Sequence, residues 1–96
     1  MSTTKAEVRF ETGPIFLTPG AKEALQGSGE HPAKFVAMHQ ALEMGELSFA
    51  DYQENLLSVK EGFRIFSAYR TSAGEKLWVI TEADRSSTTV LLPSEY

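Results

Sequence analysis

The chain has 96 residues, 42% of them hydrophobic and 23% charged, with thirteen acids against nine bases for a formal charge of −4. That length supports one core and not two, and the composition is that of a globular domain rather than a disordered segment. There is no cysteine, which excludes disulfide staples, thiolate metal sites and thiol nucleophiles, and no run approaches the roughly 20 apolar residues needed to span a bilayer.

The opening residues also lack the apolar core of a signal peptide, so a soluble, cytoplasmic protein without membrane association is expected. The acid surplus sits in the middle: residues 22–62 hold seven acids and three lysines, whereas residues 63–96 hold four of each sign. A negative field disfavours nucleic acid as a general partner, because phosphate binding would act against it.

Residues 1–6 carry Ser, Thr and Lys without periodicity and read as a frayed, disordered terminus. "VRFE" alternates apolar with charged residues and suggests a short strand, which "PIFL" continues after the Gly13-Pro14 break. The helical region is expected over 18–62. Thr18 is placed to cap a helix whose first position is Pro19, where the missing N–H costs nothing, and this helix ends near "GSG". A second begins at His31-Pro32, with Phe35, Met38 and Leu42 on one face and Gly45 as its stop. Ser48 caps a third, with Asp51 three residues on, a stripe of Phe49, Tyr52, Leu56 and Val59, and Gly62 as terminator.

From residue 63 to 93 the period changes. "FRIFSAY", "KLWVIT" and "TTVLLP" are rich in β-branched and aromatic residues and are separated by the polar connections "RTSAGE" and "EADRSS". They predict an antiparallel meander, and helices before strands predict an α+β domain: three short helices packed on a three- or four-stranded antiparallel sheet. Phe63, Ile65 and Phe66 crowd together, as do Leu77, Trp78, Val79 and Ile80, so both faces of the sheet carry large apolar groups. The second face needs a cover: the N-terminal strand, a second copy, or another protein.

Chemistry-bearing residues concentrate at "TEADRSSTT". One reading is a hairpin connection in which Asp84 and Ser86 bond local backbone and Arg85 points to water. The other gathers Arg70, Glu82, Arg85 and Thr89, with Thr88 alongside, at the sheet edge as the base, electrophile and positioning donors of a metal-independent ribonuclease. Its general acid would have to be His31 or His39, neither of which lies in the sheet. Arg64 and Arg70 share a face of a regular strand, where they either bind an anion or pair with Glu82 and Glu75 across the sheet. His39 and Glu43, four apart on a helix and followed by Glu46 and Asp51, make a weak metal set, since a routine polar pair has the same spacing. Trp78, Tyr69 and Tyr52 read either as core or as interface anchors. The seven glycines are dispersed, so there is no phosphate-cradling loop, and no cofactor is expected. The acid density is too low for a convincing mimic of nucleic acid.

The pattern "TPGA…AL", "HQ", "GFRIFSAY" and "WVITEADRSSTTVLLPSEY" resembles a family of small proteins from bacterial plasmids and integrated elements known as plasmid-related proteins. The resemblance covers roughly residues 15–96 and implies a mobile-element origin without an established activity. Where that family has a Gly-Asp-Trp-Gly-like turn, this chain has Leu42, Glu43 and Met44. The expected role is a non-enzymatic interaction module that binds a protein partner, or itself as a homodimer, through Tyr69, Arg70, Trp78, Glu82, Asp84 and Arg85. In this reading it acts on a host defence or regulatory complex. The ribonuclease is the alternative.

Overall fold

The structure is a computed structural model that describes residues 9–43 and 45–96. In chain order the elements are β1 (Ile15–Leu17), α1 (Pro19–Ser28), α2 (Pro32–Gln40), α3 (Phe49–Glu61), β2 (Ile65–Arg70), β3 (Lys76–Thr81), β4 (Thr88–Leu91) and a closing 3-10 turn, Pro93–Glu95. The fold is α+β, with three helices and one four-stranded sheet of order β1-β4-β3-β2.

Local chemistry sets the helix ends. Thr18 caps α1 by accepting from Ala21 N, with Pro19 inside the first turn, and Ser48 caps α3 by accepting from Asp51 N. Helices α1 and α3 end at Gly29 and Gly62. Helix α2 is shorter than its apolar spacing predicts. It stops at Gln40, and Leu42 adopts a left-handed φ of 63°. Leu42 N donates to His39 O and Glu43 N to Met38 O, the paired bonds that close a helix when a left-handed residue follows it. A leucine takes the glycine position because its side chain is buried there against Phe10 and Ile65.

The meander expectation is correct for β2, β3 and β4 and incorrect for the sheet as a whole. β2–β3 and β3–β4 are antiparallel, but β1 pairs parallel with β4, making a mixed sheet. A parallel pair needs a long crossover, and the three helices between Leu17 and β2 supply it. "VRFE" does not form a strand: Arg9–Glu11 are irregular, Phe10 packs edge-on against His39 at 5.1 Å, and Val8 lies outside the described residues, as does the expected frayed segment 1–6.

Strand alternation divides the sheet. Ile65, Ser67, Tyr69, Leu77, Val79, Thr81, Thr88 and Val90 face the helices and are buried. Ala21 and Leu25 of α1 and Phe35 and Val36 of α2 pack on Tyr69, Leu77, Val79 and Val90, while Tyr52, Leu56 and Val59 of α3 cover Ile65. Phe49, expected in that stripe, stands out in solvent.

The edge of β2 is closed by this chain itself. The Asn55 amide accepts from Phe66 N at 3.1 Å and donates to Phe66 O at 2.6 Å, so one side chain imitates a neighbouring strand. Glu46 N donates to Ala68 O at 2.8 Å. The backbone comes so close here that a Cβ on Gly45 would meet Ala68 O, and φ is +71°, so only glycine fits.

Candidate functional site

The face of the sheet away from the helices carries Phe66, Ala68, Trp78, Ile80, Thr89 and Leu91, with Phe16 of β1 on the same side. Ala68, Ile80 and Leu91 are buried on it, Phe66, Trp78 and Thr89 half-buried, and no helix lies over it among the described residues. The closing turn borders it, fastened to α1 by Glu95: one carboxylate oxygen accepts from Thr18 Oγ1 and Leu92 N, the other from Gly20 N. These donors, the Thr18 hydroxyl first, hold the Glu95 carboxyl below its usual range.

That turn delivers Tyr96 onto Trp78. The indole is sandwiched edge-to-face between Phe66 at 5.1 Å and Tyr96 at 5.6 Å, an arrangement favoured by the ring quadrupoles. Arg64, Phe66, Trp78, Ile80 and Tyr96 line a groove of about 280 Å3 that is almost entirely apolar. Its rim is polar: Arg64 Nη1 donates to Tyr96 Oη at 3.1 Å, and Arg64 Nη2 lies 3.4 Å from Glu82. The Tyr96 hydroxyl, followed by the Glu82 charge, keeps the Arg64 guanidinium more firmly protonated than usual. Phe66 and Trp78 are half-buried, and Phe16, at 54% exposure, extends the apolar surface toward the opposite edge.

The residues singled out in sequence do not form one cluster. Arg70 ends β2 beside Lys76, while Glu82 lies six residues further along, just past the Thr81–Ile65 pair. At about 3.3 Å per residue this is some 20 Å. Arg70 pairs with Glu46 at 2.9 Å and donates to Gly74 O, so its expected partner Glu75 is not used. The Arg64–Glu82 pairing is as the strand spacing suggests.

Arg85 is neither in water nor aimed at a substrate. Held at φ 61°, it donates to the carbonyls of Ser58, Phe63, Glu82 and Ala83 and lies over the Phe10 ring. It thereby ties the β3–β4 turn to the C-terminal end of α3, adding a charged donor to Ser58 O, which also accepts from Gly62 N and Phe63 N. Asp84 accepts from Ser86 N in the local turn expected of it, and the Ser86 side chain and backbone hold its carboxyl low. Thr89 faces outward on β4 beside Glu82 and Glu95. Tyr69 does not reach the outer face: it is 3% exposed, on the helix side, and donates to Glu43 O at 2.7 Å. Burial pushes its phenol up to about 12. Of the six binding candidates, only Trp78 and Glu82 adjoin the groove.

His39 is not a metal ligand with Glu43. The imidazole is fully buried, whereas Glu43 is exposed, and among the described residues no three His, Cys, Asp or Glu side chains group to hold an ion. The ring sits in a chain of hydrogen bonds that fixes each proton. Thr88 Oγ1 donates to Thr12 O at 2.9 Å and therefore accepts from Thr81 Oγ1 at 2.6 Å. Thr81 then accepts from His39 Nε2–H at 2.8 Å, which leaves Nδ1 to accept from Ser67 Oγ at 2.5 Å. Burial, and secondarily the Arg85 charge, hold the imidazole down at about 3, so it is neutral. Ser67, Thr81 and Thr88 have no exposed surface. The serine–histidine pair consequently meets no substrate; it joins α2 to three strands. Its signal in the sequence is three hydroxyl residues at inward positions of otherwise apolar strands.

No protein-family model matches the chain, and no curated protein or solved structure is significantly similar to it. Among the described residues no helix is long and apolar enough to cross a membrane.

Proposed function

We propose that this chain is a small, non-enzymatic interaction module whose open sheet face binds a protein partner. The observation that carries this reading is the groove at Phe66, Trp78, Ile80 and Tyr96: a preformed aromatic slot with a single Arg64–Glu82 rim and no helix over it among the described residues. An aromatic centre bordered by paired charge suits protein recognition, in which buried aromatic anchors supply most of the energy and rim charges set orientation. The ribonuclease alternative finds no comparable support, since Arg70 stands some 20 Å from Glu82 and Arg85 is occupied by four carbonyls. A mobile-element origin, and action on a host defence or regulatory complex, rest on the resemblance of the sequence motifs alone.

The experiment is affinity capture of the tagged full chain from a bacterial lysate, with and without nuclease, alongside an RNA integrity assay. A stoichiometric protein that survives nuclease and is lost with Trp78→Ala supports the module. Degraded RNA, spared by Glu82→Ala, contradicts it and restores the ribonuclease.

A further inference from the structure

The two edges of the sheet are finished differently. β2 is closed by Asn55 and the Gly45-Glu46 backbone, but β1 has no such device among the described residues. Pro14 O accepts from Thr88 N at 3.0 Å and Thr18 N donates to Val90 O at 3.1 Å. In a parallel ladder this turns the N–H and C=O of Phe16 toward β4 and those of Ile15 and Leu17 outward. None of these four outward groups has a described backbone partner. The strand is also uncharged and apolar, with Ile15, Phe16 and Leu17 at 41%, 54% and 36% exposure, and is limited as an edge by its length of three residues and the preceding Pro14.

The geometry points to a second copy of this chain as the occupant of that edge, with the two β1 strands paired antiparallel about a twofold axis at Phe16. Three observations select a copy of itself. The first is register. Residues facing each other in a non-hydrogen-bonded antiparallel pair turn their N–H and C=O away from one another, as Phe16 already does by using its own on β4. Placing Phe16 opposite its twin sets Ile15 opposite Leu17 of the second copy, and each such pair exchanges two bonds. All four outward groups of each strand are then satisfied, with none left over.

The second is charge. Residues 9–23 contain Arg9, Glu11, Lys22 and Glu23 and sum to zero, although the whole chain carries −4. Two acidic molecules therefore meet along a stretch without net charge. The third is shape. A groove of about 400 Å3 between β1 and α2, lined by Ile15, Pro32, Val36 and Ala37 without any Lys, Arg, Asp or Glu, lies on the side that Ile15 faces. Leu17 of the second copy, directly opposite Ile15, enters it. On the other side the two Phe16 rings meet, joining the outer faces into one aromatic surface across eight strands. This inference concerns the edge and does not depend on what that surface binds.

The test uses the absence of cysteine from the sequence. Facing residues in a non-hydrogen-bonded pair have Cα atoms about 4.5 Å apart, within the span a disulfide bridges. The full chain is expected to sediment as a dimer, and Phe16→Cys to give a single reducible covalent dimer under mild oxidation. Ile15→Cys alone should not link, because its twin lies beyond disulfide reach, and Ile15→Lys should give a folded monomer by circular dichroism. A chain monomeric at every concentration overturns the inference, as does a dimer that persists in Ile15→Lys. A dimer dispersed by Trp78→Ala and not by Ile15→Lys overturns it too, while leaving the proposed contact face standing.

Discussion

Alternate residues on β2, β3 and β4 look into opposite environments, and the contrast runs against residue type. On the helix side Ser67, Thr81 and Thr88 are polar yet fully buried, because His39 and the Thr12 carbonyl give every hydroxyl a partner. On the other side Phe66 and Trp78 are aromatic yet only half-buried, with Tyr96 packed on the indole, while Ala68, Ile80 and Leu91 of the same face are buried. Polarity is tolerated wherever the hydrogen bonds close. The closed face stabilises the domain, and the open face is where the proposed contact falls.

Substitutions should separate the two faces by their cost. The largest loss is expected from His39→Ala, which opens a cavity and strands the Ser67 hydroxyl, for about 3 to 5 kcal/mol in urea unfolding. Adding Ser67→Ala and Thr81→Val to His39→Leu should recover much of that loss, since an apolar replacement of the whole network leaves no polar group stranded.

Acid should reproduce part of the effect. His39 is held at about 3 in the folded chain, against an ordinary 6.5, so the unfolded chain binds the proton first as pH falls. Its contribution is complete above 6.5 and is lost as pH drops from there toward 3, at about 1.4 kcal/mol per unit, or about 2 kcal/mol at pH 5. Unfolding measured between pH 7 and 5 should show this slope, and His39→Gln should flatten it.

Arg85→Ala ranks next, at about 1 to 3 kcal/mol, because it removes the charged donor from Phe63 O and the side-chain tie to Ser58 O, which keeps its backbone donors. Arg85→Lys should recover only part, since a single ammonium cannot span four carbonyls; thermal unfolding of both variants checks this. Trp78→Ala, which truncates a half-buried ring, should cost less than His39→Ala, about 1 to 2 kcal/mol. Leu57→Ser, in an exposed side chain on α3, should stay within about 0.5 kcal/mol and serves as the reference.

What was legible in the sequence was local. Thr18 with Pro19, Ser48 and Gly62 mark helix ends through bonds made within a few residues, and the β-branched runs announce the three hairpin-linked strands. The pairing of β1 with β4 joins positions more than 70 apart and leaves no local trace. Leu42 reads as one more apolar residue on a helical stripe, because nothing nearby reveals that its burial supports a left-handed backbone. The error over Arg70 was avoidable: in a hairpin the end of one strand meets the start of the next, which places Arg70 beside Lys76 and Arg64 beside Glu82. Arg85 and His39 could not be read, since each draws its partners from several distant segments.

Whether the open face is a contact surface or an unfinished core is decided by comparing binding with folding in the same variants. Once a captured partner is identified, its dissociation constant should be measured for the wild type, Trp78→Ala and Leu57→Ser. Trp78→Ala should weaken binding by at least about tenfold, or 1.4 kcal/mol, with the domain still folded, and Leu57→Ser should leave it unchanged. Equal affinities for wild type and Trp78→Ala, or a loss with Leu57→Ser alone, would contradict the account and place the contact elsewhere.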